Sequence, residues 1–205
     1  MSKSGVYFYG HKLSQPYPSF SNFFPSDFSM VDTRKAGEAA RLHFFCSEQA
    51  LMWHKAIVMG DPLSAEKIMQ ATTPQECKRL GRAVANYDEA LWVQRRYDVM
   101  VRVLTAKFGQ NAAMRRELLQ TGLREIAEAS PTDRVWGIGI SVAQANEGAK
   151  WDGTNLLGQA LEETREILRR RQQQQRESGQ PDGDDAMVLP VLLEPKGQDA
   201  AAGTA

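Results

Sequence analysis

The chain is poor in the residues that make covalent or metal scaffolds: 205 residues contain two cysteines, Cys46 and Cys77, and three histidines. Two cysteines cannot form a disulfide framework, and no CxxC pair or His/Cys spacing suggests a metal centre, so neither a metal nor a cofactor is expected. Such cysteine usage suits a reducing intracellular setting, cytoplasm or nucleus. No stretch approaches the ~20 uninterrupted apolar residues of a membrane-spanning helix, and Met-Ser-Lys-Ser-Gly-Val-Tyr lacks the pattern of a secretory signal. Neither GxGxxG nor GxxxxGK[ST] occurs, which argues against Rossmann or P-loop nucleotide binding. Net charge is also lacking, since 25 basic residues face 25 acidic ones.

That neutrality is a sum of unlike parts. Composition changes near residue 170, where a Gln run, Gly/Pro/Asp turns and an Ala/Gly end begin. Residues 171–205 read as a disordered tail. Within it, Met187 to Leu193 forms an apolar patch that either docks on a groove or stays solvated. The tail carries three basic and six acidic residues, leaving 22 basic and 19 acidic in 1–170. The remaining domain is mildly basic, compatible with an anionic ligand without requiring one.

Residues 1–170 read as a single, mostly helical α+β domain with a few short strands. VYFYG (6–10) and RLHFFC (41–46) have strand character, and PYPSFSNFFPSDF (16–28) is a Pro-punctuated aromatic loop. Helices are expected over 48–59 behind Ser47, 62–71, 74–85 behind Thr73, 88–108, 111–121 and 156–170. Arg124–Glu128 and Arg134–Ile138 read as short strands before a glycine-rich stretch.

Four features carry possible chemistry. In SEQALMWHKA (47–56), Glu48 and Lys55 lie two turns apart on one face, with Leu51 and Met52 making that face inward. The pair is either ordinary complementation of the helix dipole or a pair of reacting groups. Trp53, Trp92, Trp136 and Trp151 are either core or a stacking wall, and Gly137 beside Trp136 would let a ligand approach the backbone. Asn22, between Phe20 and Phe23-Phe24, is a turn residue or a contact for a polar ring. Lys78, Arg79 and Arg82 form a solvated basic face or a phosphate site.

Taken in order, F-S-N-F (20–23), S-E-Q-x4-H-K (47–55), L-G-R (80–82), L-W (91–92), A-K-F (106–108), D-x-x-W-G (133–137) and N-x-L-G-x-x-L (155–161) resemble the NADAR family of YbiA-like domains across residues 6–170. The resemblance implies an enzyme, an N-glycosidase cleaving the bond between a ribose C1 and an exocyclic amine. One activity attributed to the family removes ADP-ribose from the amino group of guanine in nucleic acid. Another cleaves phosphoribosylamino-pyrimidine intermediates of riboflavin synthesis. A domain that only binds ADP-ribose or NAD is the non-catalytic alternative. By the resemblance Glu48 and Lys55 are catalytic, and Asn22, Phe23, Gly81, Arg82, Trp92, Trp136, Gly137 and Asn155 bind substrate. The partner is then an ADP-ribose-bearing guanine nucleotide or nucleic acid, with no membrane and no obligate protein partner. Two departures stand out. Gln49 replaces the usual histidine of S-E-H, which argues against catalysis by that position. Ile138 stands where many bacterial members have an acidic residue, leaving Asp133 or Asp152 as candidate second carboxylates.

Overall fold

The computed structural model describes residues 5–32, 40–178 and 188–191. Among them, helices α1 (Ser47–Val58), α2 (Pro62–Gln70), α3 (Pro74–Arg82), α4 (Glu89–Gln110), α5 (Ala112–Gln120), α6 (Val142–Asn146) and α7 (Leu156–Ser178) surround five short strands. These are β1 (Val6–Phe8), β2 (Phe28–Asp32), β3 (Ala40–Phe44), β4 (Ile126–Glu128) and β5 (Leu189–Pro190). The architecture is α+β, as expected, and no described helix is long and apolar enough to cross a membrane.

Helix starts follow local chemistry. Asp61, Thr73 and Asp88 each accept a backbone N–H of the first turn of α2, α3 and α4, and Pro62 and Pro74 occupy positions where a missing N–H costs nothing. Helix α1 differs. Its cap is Cys46, not the expected Ser47, and no side chain caps it. The Asn22 carbonyl instead accepts the Glu48 N–H at 2.9 Å, which ties the aromatic loop to the start of the helix.

Strands β1 and β4 pair in parallel, whereas β2 lies between antiparallel β3 and parallel β5. Helix α1 packs on α2, α3 and α4, helix α4 crosses α7, and α7 backs β4. Phe8, Phe20, Phe44, Trp53, Met100, Leu104 and Phe108 are buried at the centre of this stack. At about 25 cal/mol per Å² of apolar surface removed from water, such side chains supply the main drive for folding.

Several expectations need correction. The helix expected over 74–85 ends at Arg82. Arg134–Ile138 forms no strand: Trp136 and Val135 donate to Asp133 Oδ1, and the carbonyls of 134–138 accept N–H groups from 152–157. This segment gets its hydrogen bonds from a neighbouring loop, which sequence alternation cannot reveal. Strand β2 emerges from the end of the aromatic loop, and α6 from the glycine-rich stretch, where Ser141 and Gln144 form a capping box.

The tail also differs. Residues 171–178, expected to lack structure, continue α7, because extending an existing helix through Arg and Gln without glycine or proline is easy. Val188–Val191 crosses the boundary drawn at residue 170: β5 pairs with Met30 and Val31, and Val191 is buried. The rest of Met187–Leu193, and 179–186 and 194–205 of the tail, lie outside the described residues.

Candidate active site

The first turn of α1 points into a cavity of about 250 Å³ lined by Ser21, Asn22, Phe23, Glu48, Leu51, Met52, Lys55, Lys78, Arg82, Trp92, Glu128, Asp133 and Trp136. An adjoining space of about 550 Å³ shares Ser21, Phe23, Lys78, Arg82, Glu128 and Asp133 and adds Tyr9, His11, Lys12, Gln15, Ser130 and Thr132. The two are neighbouring chambers of one cleft.

Glu48 is 5% exposed, and no hydrogen bond or ion pair among the described residues holds its carboxylate. Burial pushes this carboxyl up to about 7, against Lys78 and Arg82, which favour its charged form, and with Asp133, which opposes it. A carboxyl poised near neutrality can both give and take a proton.

Lys55 lies two turns further along α1, its Nζ donating to the Gly81 carbonyl at 2.8 Å and standing 4.2 Å above the Tyr87 ring. Burial lowers the pKa of this amine, Glu89 raises it, and Arg82 lowers it again. Depression by burial increases the neutral, nucleophilic fraction of a lysine.

Helix α3 comes close enough to α1 to form this wall because residue 81 is glycine: a Cβ there would sit 2.1 Å from Met52 Sδ. The same helix projects Lys78 and Arg82 into the cleft, with Lys78 Nζ 5.5 Å from the centre of the Phe23 ring. Arg79 is exposed and does not line either chamber.

Trp92 from α4 and Trp136 from the D-x-x-W-G turn line the inner chamber. The other two tryptophans pack elsewhere: Trp53 is buried against Phe44, and Trp151 meets Tyr7 edge-on. Asn22 is 9% exposed, and its Oδ1 has no hydrogen-bond partner among the described residues. An acceptor left unpaired beside a cavity costs stability unless a ligand satisfies it.

Three residues expected to bind substrate line neither chamber. Gly81 contributes its carbonyl to Lys55 and its lack of a side chain to helix packing. Gly137 lines neither chamber; a Cβ there would lie 2.8 Å from the Glu128 carbonyl. Asn155, in left-handed conformation at φ 54°, braces β4, donating to the Ile126 carbonyl at 2.8 Å and accepting the Glu128 N–H at 3.2 Å.

Gln49 is likewise structural. Its side chain accepts the Phe45 N–H and donates to the Ile68 carbonyl, joining the end of β3 to α2. Asp152 is exposed and paired with Arg134, outside the cleft, whereas Asp133 lines both chambers.

Sequence reasoning missed Glu128. It ends β4, and its side chain also reaches both chambers. Its strand was expected, but nothing in one sequence distinguishes a strand-end glutamate facing solvent from one facing a cleft. Lys107 was missed too: fully buried within A-K-F, it donates to the Ser21 carbonyl at 3.0 Å and so holds the loop that carries Asn22. Burial pushes this amine down to about 7. Despite three nearby carboxyls, no group of acidic, His or Cys side chains among the described residues is arranged to hold a metal ion.

Comparison with known proteins gives a consistent result. The model of the NADAR domain matches residues 7–169. Protein irg-1 of Caenorhabditis elegans is 41% identical over 165 residues, covering 75% of this chain and 77% of that protein. N-glycosidase R617 of Acanthamoeba polyphaga mimivirus is 37% identical over 164 residues, covering 78% of this chain and 94% of that protein. The NMR structure of the E. coli protein YbiA shares the fold, with a TM-score of 0.61 at 24% identity over 84% of this chain and 92% of that one.

Proposed function

The chain belongs to the NADAR family, and from that premise we propose that its cleft hydrolyses an N-glycosidic bond, the one joining ADP-ribose to the exocyclic amino group of guanine. The observation that carries this reading is the convergence of Glu48, Lys55 and Asn22 on one cavity that Trp92 and Trp136 also line. It offers a proton carrier, an amine nucleophile, a polar anchor and flat surfaces for a base.

The adjoining chamber favours ADP-ribose over a single phosphoribosyl group. Its wall combines rings (Tyr9, His11, Phe23) with cations (Lys12, Lys78, Arg82), which suits a second ring system and a pyrophosphate. A phosphoribosylamino-pyrimidine, the competing substrate, would leave much of that space unfilled.

The chemistry follows from the bond. The exocyclic nitrogen lone pair opens the ribose to an iminium at C1, and the ring oxygen takes a proton. The neutral Lys55 amine then adds to C1, the C1–N bond to guanine breaks as that nitrogen gains a proton, and a lysine imine remains. Water adds to this imine and releases ADP-ribose, so one water is consumed and Lys55 is restored. Glu48 moves the protons, a role worth roughly 10²–10⁴-fold for a well-placed group.

Borohydride reduction during turnover of ADP-ribosyl-guanosine tests this reading. The expected result is one ADP-ribosyl mass added at Lys55. Turnover with no sugar left on Lys55 would show that water attacks C1 directly, with Glu48 as its base.

A further inference from the structure

Glu128 is the one glutamate lining the cleft that the scheme above leaves idle. Its main chain is fixed from three sides: its N–H goes to Asn155 Oδ1, and its carbonyl accepts the N–H groups of Ser130 and Ile138 at 2.9 Å each. The side chain therefore starts from a rigid base. It reaches both chambers, whereas Glu48 lines only the inner one, so Glu128 stands where the chambers meet.

The surroundings of the two carboxyls differ in sign. Both are pushed up to about 7, first of all by burial. The strongest charged neighbour of Glu48 is Lys78, which favours ionisation, and Glu48 also lies in the first turn of α1 at the positive end of the helix. For Glu128 the strongest is Asp133, which opposes ionisation; Lys78 partly offsets this, and Glu48 itself adds to the opposition. Arg82 on α3 and Lys55 on α1 complete the charged groups of the inner chamber. A neighbouring carboxylate makes ionisation of a second carboxyl less favourable. Asn22, whose buried Oδ1 has no hydrogen-bond partner among the described residues, lines the same chamber.

We infer that Glu128 is a second catalytic carboxyl, the acid that delivers a proton to the nitrogen leaving C1, with Glu48 as its partner base. The inference rests on the N-glycosidase reading and divides its proton work between two residues. As the nucleophile bonds to C1, Glu48 takes the proton that Lys55 or water loses. As the C1–N bond breaks, the electron pair goes to nitrogen and Glu128 supplies the proton that nitrogen needs. Transfer of a proton from Glu48 to Glu128 then resets the pair, and the cycle consumes only water.

The test uses the full-length protein labelled with ¹³C at the glutamate carboxyls, titrated by NMR without substrate as wild type, Glu48→Gln and Glu128→Gln. The Glu128 midpoint is expected to fall in Glu48→Gln, because the substitution removes a charge that opposes its ionisation. In parallel, Glu128→Gln is expected to lower kcat on ADP-ribosyl-guanosine by roughly 10²–10⁴-fold without lowering its thermal midpoint, and Glu128→Asp to recover part of the loss. An unmoved Glu128 midpoint or full kcat in Glu128→Gln overturns the inference while leaving the N-glycosidase reading standing. Coupled titration in a wild-type protein that cleaves no N-riboside removes both.

Discussion

Replacing Glu48 by glutamine should make the protein more stable at neutral and alkaline pH while abolishing turnover. Glutamine keeps the shape of the side chain and removes only its ability to ionise. In the folded protein this carboxyl is raised from the ordinary 4.5 to about 7. Each pH unit of such a difference is worth about 1.36 kcal/mol, so forcing the buried charge costs about 3 kcal/mol once the pH is well above 7. The sign follows from proton binding: the folded state holds this proton more tightly than the unfolded state. Its contribution is therefore complete below pH 4.5 and is lost as the pH rises through 7. Urea unfolding of wild type and Glu48→Gln at intervals between pH 4 and pH 9 would measure it. Taking the difference between the two proteins cancels every other titrating group that the substitution leaves undisturbed. That difference should grow in favour of the variant by about 3 kcal/mol across the range and then level off. A difference that stays flat, or that grows in favour of wild type, would refute the claim that Glu48 sits in a poorly solvated, proton-retaining site.

Lys107→Met should show the opposite pH trend. The lysine is lowered from 10.5 to about 7 in the folded state, so wild type gains stability as pH rises through that window, and urea midpoints of the variant should lack this gain. Gly158→Ala should destabilise the fold by about 3 kcal/mol, because a Cβ would lie 2.1 Å from the Ile126 carbonyl and 2.4 Å from the Asn155 amide, displacing the strand that carries Glu128. Thermal melts measure that loss, and a melting point equal to wild type would contradict it. Trp136→Ala should weaken binding of ADP-ribose by about 1–3 kcal/mol in calorimetry, the scale of one stacked base, whereas Trp136→Phe should retain most of it.

How much of this was legible in the sequence depends on how local each signal is. Helix starts at Pro62, Pro74 and Glu89 follow from capping side chains within three residues, and sequence analysis places them closely. The two-turn spacing of Glu48 and Lys55 also fixes them on one face of α1 without further information. What was not legible depends on distant partners. The Glu48 N–H in the first turn of α1 is satisfied by the carbonyl of Asn22, far along the chain. Asn155 was expected as a ligand contact from the family resemblance and Gly137 from its place beside Trp136, but Asn155 hydrogen-bonds the main chain of β4 and Gly137 packs against the Glu128 carbonyl. Glu128 enters the cleft only through the pairing of β4 with β1 and its support by α7. Asp133 was a candidate on sequence, and its main structural duty was hidden: it caps the turn that presents Trp136.

The most direct test of the functional account offers wild type and Glu48→Gln two substrates side by side, ADP-ribosyl-guanosine and a phosphoribosylamino-pyrimidine, and identifies the products by mass. The account predicts free ADP-ribose and guanosine from wild type, far slower cleavage of the pyrimidine compound, and neither reaction from Glu48→Gln. Cleavage of the pyrimidine compound alone, or release of ADP-ribose that persists in Glu48→Gln, would contradict it.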